Sequence, residues 1–270
     1  MTAGLRVRDL VTEFSTRNGV VKALHGVSFN VGANETVGIV GESGSGKSTI
    51  VRSMIRLLVP PGRVASGSVD FNGRSLLELP ERQLRAIRGR DIGFIAQNPF
   101  SALNPVVRLE KQFANIARAH GLPADSDARG RAVELLDATG VSDPQRVIRG
   151  YAHELSGGMA QRVVIAMALY LNPRLVIADE PTTALDLTVQ RQVLDTLRRL
   201  TVGSGRSMLM VTHDLGVVAA YCQRVLVIYQ GNIVEQGPVT EVFTNPQHPY
   251  TESLLRSASP DAVLSESRRS

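Results

Sequence analysis

The residues with chemistry to offer are gathered in a few short stretches of this 270-residue chain. Gly41-Glu42-Ser43-Gly44-Ser45-Gly46-Lys47-Ser48-Thr49 follows the apolar run Val37-Gly38-Ile39-Val40 and precedes Ile50-Val51. Gly41, Gly46, Lys47 and Ser48 fit the spacing G-x-x-x-x-G-K-[ST]. In that pattern glycines let backbone N–H groups close around a polyphosphate, and the helix N-terminus adds partial positive charge. Lys47 then reaches the β- and γ-phosphates, and Ser48 binds magnesium. The competing reading, a flexible glycine turn, is disfavoured by the rarity of this spacing.

Leu175-Val176-Ile177-Ala178-Asp179-Glu180 reads as a buried strand ending in two acids, at the edge where α/β folds place ligands. Beside a phosphate loop, Asp179 can hold magnesium and Glu180 can polarise an attacking water. Without that loop a solvated acidic turn is the better reading. His213 follows the strand Met208 to Thr212, and Gln97 follows Ile92 to Ala96, so both project from strand ends. A lone histidine is more often structural, and a glutamine there can be a plain helix-entry residue. Leu155-Ser156-Gly157-Gly158-Met159-Ala160-Gln161-Arg162 is a second glycine-rich helix start, and so a second anion site. In a chain that already carries a phosphate loop it is redundant unless it serves another nucleotide.

These groups need elements to position them. Residues 5–12 and 20–31 predict two strands around Thr16-Arg17-Asn18-Gly19, with Phe14 at the end of the first. From spacing alone Phe14 reads as core. The helix after the glycine loop is expected to end near Pro60-Pro61-Gly62, and Gly67 to Gly73 reads as a strand with a turn. From Asn98 to about Leu155 helical periodicity takes over, as in Leu109, Phe113 and Ile116, which predicts an inserted helical subdomain. Ser156 caps a helix that stops at Asn172-Pro173. Strands are predicted at Leu175 to Ala178, Met208 to Thr212 and Val225 to Tyr229, with helices at Thr188 to Leu200 and Leu215 to Tyr221. Continuous apolar strands alternating with helices predict an α/β fold with a parallel sheet covered on both faces. Ser257 to Ser270 read as mobile.

Composition bounds the function. A 43% hydrophobic content is ordinary for a globular protein, and the longest apolar run, Val163 to Leu171, falls well short of the roughly 20 residues needed to span a bilayer. Membrane association is therefore expected to go through a partner. The single cysteine, Cys222, leaves no disulfide or cysteine cluster within the chain and suits a reducing, cytoplasmic compartment. The net charge of +5 is dispersed, and only 4% of residues are aromatic, so no nucleic-acid partner is expected.

Taken together, the chain resembles the ATP-binding cassette (ABC) ATPases over most of its length. Gly41 to Thr49 is similar to the Walker A segment, Gln97 to the Q-loop, and Leu155 to Gln161 to the signature sequence. Leu175 to Glu180 is similar to Walker B, Ala184-Leu185-Asp186 to the D-loop, and His213 to the switch histidine. The resemblance implies a P-loop NTPase fold: a parallel-sheet core, an N-terminal antiparallel β-subdomain and an inserted α-helical subdomain. It implies a nucleotide-binding core with β-subdomain over 1–97, a helical subdomain carrying the signature over 98–158, a second part of the core over 159–240 and a C-terminal extension over 241–270. ATP and Mg2+ are the implied cofactors.

By the same resemblance Glu180, His213, Gln97 and Lys47 are the catalytic set. Phe14, Gly41, Ser43, Gly44, Ser45, Gly46, Lys47, Ser48, Thr49, Ser156, Gly157, Gly158 and Asp186 contact nucleotide, with Phe14 now stacking on adenine instead of filling core. Ser48, Gln97 and Asp179 serve the metal. Two such chains, identical or homologous, sandwich two ATP molecules, so that Ser156 and Gly158 of one meet the γ-phosphate held by Lys47 of the other.

Met159 where glutamine is frequent, Asn98 to Pro105, and Asn245-Pro246-Gln247-His248-Pro249-Tyr250-Thr251 resemble the oligopeptide, dipeptide and nickel importer branch. Thr183, where serine is usual, removes no catalytic group. That branch implies a site of action at the cytoplasmic face of the inner membrane, with two permease subunits and, indirectly, an extracytoplasmic solute-binding protein. With Cys222 alone, no iron–sulfur cluster is expected. Rival readings are a soluble ABC protein acting on ribosomes or DNA, a GTP switch and an exporter ATPase. The first lacks a second cassette or coiled-coil insertion, the second an N-K-x-D motif, and only the branch markers oppose the third.

Overall fold

The computed structural model describes residues 4–123, 126–183 and 185–258. Ala184 of the D-loop and residues 259–270, most of the tail read above as mobile, lie outside the described residues. In chain order the strands and helices are β1 (Leu5–Thr16), β2 (Gly19–Val31), β3 (Thr36–Val40), α1 (Lys47–Met54), β4 (Gly62–Phe71), β5 (Arg74–Ser75), α2 (Glu81–Ile87) and β6 (Ile92–Ile95). The helices α3 (Pro99–Ala102), α4 (Leu109–Ala119), α5 (Ser126–Ala138), α6 (Pro144–Val147) and α7 (Gly157–Leu169) follow. Then come β7 (Leu175–Asp179), α8 (Leu187–Leu200), β8 (Ser207–Val211), α9 (Leu215–Tyr221), β9 (Arg224–Tyr229), β10 (Asn232–Pro238), α10 (Val239–Thr244) and α11 (Pro249–Ser257). Two compact units emerge, one from residues up to Leu84 and from Ser207 onward, the other from Arg85 to Arg206.

In the first unit β1 lies antiparallel between β2 and β4, and β5 extends that sheet beside β4. The turn at Arg17–Asn18 is where the residue types place it, but both flanking strands run longer than their apolar alternation, because pairing on both sides holds polar positions such as Glu13 in the ladder. A second layer has β3 parallel to β8 and to β9, with β10 returning antiparallel along β9. Val37, Ile39, Val40, Met208 to Val211 and Val225 to Ile228 are inaccessible to solvent, the burial that continuous apolar strands require. Gly38 lets α9 approach: a Cβ there would stand 3.1 Å from both Val218 and Cys222 Sγ. Cys222 is consequently sealed, and burial pushes its thiol up to about 12, so it is inert at neutral pH.

Helix α1 is shorter than its sequence suggests. It ends at Met54, where Arg56 adopts a left-handed φ of 53° and the Leu57 N–H donates to the Arg52 carbonyl, a helix C-cap made without glycine. A buried hydrogen bond of 2.8 Å between the hydroxyls of Thr12 and Ser53 ties α1 to β1. β10, α10 and α11 lie beyond the sequence-predicted elements, since their short polar stretches carry little periodicity.

The second unit pairs β6 with β7 in parallel and surrounds them with helices. Its core is built around Phe113 and Tyr170, edge to face at 5.3 Å, with the Tyr170 hydroxyl donating to the Ala128 carbonyl at 3.0 Å. Arg162 braces the helices by donating to the Thr139 carbonyl (2.7 Å) and to Gln192 (2.8 Å). Gly93 is where β6 meets α7, for a Cβ would lie 2.6 Å from the Ala168 carbonyl oxygen.

Within the first unit the β2–β3 turn is tied to β9 by Glu35, which accepts from Arg224 Nε at 2.7 Å and from the Gly32 N–H at 2.6 Å. Burial works against the charged form, but Arg224 and the Gly32 amide outweigh it and hold this carboxyl below its ordinary 4.5. A depressed folded value means that the stabilisation is present above the unfolded value and is lost as pH falls through the folded one. Glu35→Gln is therefore expected to lower unfolding free energy at neutral pH by about 1 kcal/mol, a figure reduced for solvent screening. Urea titrations of parent and variant should converge as the pH is taken below 4.5.

Candidate functional site

In the first unit the phosphate-loop residues bridge β3 and α1. Gly46 is the N-cap of α1 at φ 108°, and no side-chain cap hydrogen bond closes this helix start, the kind of end that suits an anion. Gly41 sits where a Cβ would be 2.2 Å from the Ile228 carbonyl oxygen, and at Gly46 one would be 3.1 Å from the Ala23 carbonyl oxygen. The loop is thus wedged between the end of β9 and the body of β2. Lys47 is 5% exposed, and its ammonium donates to the carbonyls of Gly41 and Glu42, each at 2.8 Å. Ser45 is buried, while Ser43 and Gly44 are exposed at the loop tip. Ser48 and Thr49 lie half-buried on the first turn of α1.

His213 follows β8, the parallel neighbour of β3 in which Val211 registers with Ile39. It therefore emerges from the same strand edge as the loop. Thr212 N–H donates to the Ile39 carbonyl (3.1 Å) and Asp214 caps α9 through Val217 N–H (3.1 Å), so the short segment that carries the exposed His213 is anchored on both sides. Phe14, on β1, registers with Val21 and with Gly62. Its half-buried ring occupies space that a Cβ at position 62 would take, 2.6 Å from Phe14 Cε1.

In the second unit β6 and β7 present Gln97 and the acid pair from one edge, because Ile95 registers with Ala178. Asp179 is fully buried at the end of β7. Glu180 takes a left-handed φ of 48°, an uncommon conformation for a glutamate and of the kind that persists where surroundings over-determine it. Its Oε2 accepts from Gln97 Nε2 at 2.9 Å and from the Thr183 hydroxyl at 2.9 Å. Thr183 is thus part of the constellation, a role its sequence neighbourhood did not single out; its position three residues after an acidic strand end was the available signal. Ser156 caps α7 by accepting from Met159 N–H (3.3 Å). Gly157 is exposed with open space around its Cα, and a Cβ at Gly158 would press to 2.9 Å from Val189. Asp186 caps α8 by accepting from Val189 N–H at 3.0 Å. A cavity of about 290 Å³ is lined by Gln97, Asn98, Pro99, Phe100, Gly157, Gln161, Pro181, Thr183 and Leu185.

The chain's likeness to known proteins agrees with this geometry. The family model described as ABC transporter matches residues 24–183, more than half of the chain. The chain belongs to the ABC transporter family. The model of the oligopeptide/dipeptide transporter C-terminal region matches residues 234–265, which include most of β10 and all of α10 and α11. A probable peptide ABC transporter ATP-binding protein of Sinorhizobium fredii is 48% identical over 94% of this chain and 76% of its own. The oligopeptide transport ATP-binding protein OppD of Bacillus subtilis is 46% identical over 95% of this chain and 72% of its own. Among solved structures, the dimeric ATP-binding cassette MJ0796 in a post-hydrolysis state with ADP and phosphate superposes with a TM-score of 0.78 at 27% identity, covering 87% of this chain and 98% of that one. Protein cbiO1 of Clostridium perfringens, part of an ABC transporter complex, gives a TM-score of 0.76 at 26% identity over 98% and 100%. The ABC cassette is a P-loop NTPase fold, and this chain is an ABC ATPase.

The wedged loop makes a local prediction. Gly41→Ala has to displace either the loop or the end of β9, and is expected to cost about 2–4 kcal/mol of stability. Chemical denaturation of the full chain measures it; an unchanged midpoint would mean that the loop has room this structure does not show.

Proposed function

We propose that the chain is the ATP-hydrolysing subunit of a membrane importer for oligopeptides, dipeptides or a related small solute such as a nickel chelate. The observation that carries this reading is the presence, in one chain, of the ABC cassette and of a C-terminal segment matching the oligopeptide/dipeptide transporter region. Two ATPase subunits, this chain with a copy or a paralogue, bind ATP between them and act with two permease subunits. Among the described residues no helix is long and apolar enough to cross a membrane. The subunit accordingly works at the cytoplasmic face of the membrane through its partners, with a solute-binding protein contributing indirectly. The exposed Phe100 (44%), which lines the cavity at Gln97, and the exposed Val106 (80%) suit the permease contact.

Each residue's proposed part follows from its chemistry. The uncapped first turn of α1 and the glycine loop hold the phosphates, and Lys47 exchanges its two loop carbonyls for β- and γ-phosphate oxygens. Phe14 offers a ring for the adenine. Ser48, Asp179 and Gln97 bring a hydroxyl, a carboxylate and an amide carbonyl, the hard oxygen donors that suit Mg2+. When bound, that ion neutralises charge on the β- and γ-phosphates. Glu180 takes the proton of the attacking water; Gln97 and Thr183 orient its carboxylate, and His213 steadies the γ-phosphate. In-line attack needs placement and charge compensation more than covalent chemistry. Ser156, Gly157 and Gly158 complete the pocket of the opposite subunit, with Asp186 in the loop that adjoins it. ATP binds the closed pair more tightly than the open one, and this difference drives the conformational change.

Glu180→Gln keeps the shape and the hydrogen bonds of the side chain but removes its basicity. ATP binding and dimer closure are expected to persist while turnover falls about 10²- to 10⁴-fold, and near-normal hydrolysis would take Glu180 out of the base role. Mixing Ser156→Ala protomers with Glu180→Gln protomers tests the shared pockets. Each mixed dimer then holds one site with both lesions and one with neither, so activity should differ from the sum of the two homodimers. Strict additivity across mixing ratios contradicts two-chain sites.

A further inference from the structure

We propose that Tyr250 of the C-terminal segment is a positioning residue for the phosphate loop, so that this segment helps set nucleotide affinity. The inference rests on the ATP-binding reading and concerns groups within the first unit. The Tyr250 hydroxyl accepts a hydrogen bond from the Glu42 N–H at 3.0 Å, across more than two hundred residues of sequence. Its ring stacks on Tyr229 with centroids 4.2 Å apart. Tyr229 ends β9 and leads directly into Gln230-Gly231, whose Gly231 N–H donates to the Ser45 carbonyl at 2.9 Å. The loop is therefore gripped at Glu42 and at Ser45 by two neighbouring backbone and side-chain groups joined through a pair of tyrosine rings.

The third grip comes from within, as Lys47 holds the carbonyls of Gly41 and Glu42. Lys47 is also the group that has to turn to a phosphate, and when it does the loop loses that support. The contacts from Tyr250 and Gly231 then remain to keep its amides arranged. Tyr250 is itself held in place. Glu235 on β10 accepts from the N–H groups of Gln247 (2.8 Å) and His248 (3.0 Å), and His248 Nδ1 accepts from the Tyr250 N–H at 3.1 Å as the cap of α11. A chain of contacts thus runs from β10 through the start of α11 to the phosphate loop.

Tyr250→Phe in the full chain retains the stacked ring and removes only the hydroxyl. Equilibrium titration with a non-hydrolysable ATP analogue is expected to show about fivefold weaker binding, with the KM for ATP raised similarly and kcat within about twofold of the parent. Tyr229→Phe leaves the Glu42 bond and the stack intact, and should bind like the parent. Because coupling is reciprocal, the analogue should also slow hydrogen exchange at Gln247, His248 and Tyr250 in the parent, and less so in Tyr250→Phe. A parent that binds the analogue while Tyr250→Phe binds it equally well overturns this inference and leaves the ATPase reading standing. A loss of thermal stability and kcat with unchanged affinity assigns Tyr250 a purely structural place and overturns it too. A parent with no affinity for ATP overturns the ATPase reading, and this inference with it.

Discussion

The first unit is organised by the close approach of the phosphate loop to the end of β9 and the body of β2. At Gly41 the Ile228 carbonyl oxygen stands where any side chain would begin, and at Gly46 the Ala23 carbonyl limits the space almost as tightly. Backbone packed against backbone at this distance leaves the loop little freedom, and its amides are arranged before a ligand arrives. This preorganisation matters for a polyphosphate, whose charge is stabilised by dipoles already in place instead of ones that must be turned. β9 and β3, the strand that leads into the loop, are buried on both faces, so their positions are in turn held by close packing that tolerates little change in volume.

The second unit uses a different device to hold Glu180, the proposed base. Glu180 follows a buried strand, turns into the left-handed region and meets two donors, Gln97 from β6's end and Thr183 from the following turn. Both donors restrict the orientation of its side chain. The neighbouring signature region is organised by caps: Ser156 on α7 and Asp186 on α8 each satisfy a helix N-terminus within their own unit. The exposed Gly157, with open space around it, leaves room beside that helix end, as the proposed two-chain pocket requires.

The C-terminal segment joins this scheme through charge and aromatic contact more than through burial. Burial opposes the charge on Glu235, but the amides of Gln247 and His248 and the His248 ring hold its carboxyl below the ordinary range. The anionic form is the one that accepts both amides. The segment that marks the peptide-transporter branch therefore meets the part of the cassette common to the whole family.

From residue types and spacing alone, the phosphate loop, the acid pair, Gln97, His213 and, apart from β5 and α2, the order of strands and helices through β9 were legible, because glycine-rich turns, apolar runs and caps are encoded locally. Phe14 shows the limit: its spacing reads as core, and the space for its ring is made by Gly62, almost fifty residues away. The premature end of α1, the left-handed Glu180, its bond to Thr183 and the hold of Tyr250 on Glu42 were settled only in three dimensions. Each depends on groups brought together by strand register and helix docking, or on a backbone twist that neighbours impose, and no local pattern records either. Sequence determined which groups this protein possesses and the strand edge from which each departs; tertiary structure decided which of them touch, since hydrogen bonds act over about 3 Å and chain distance is no guide to that.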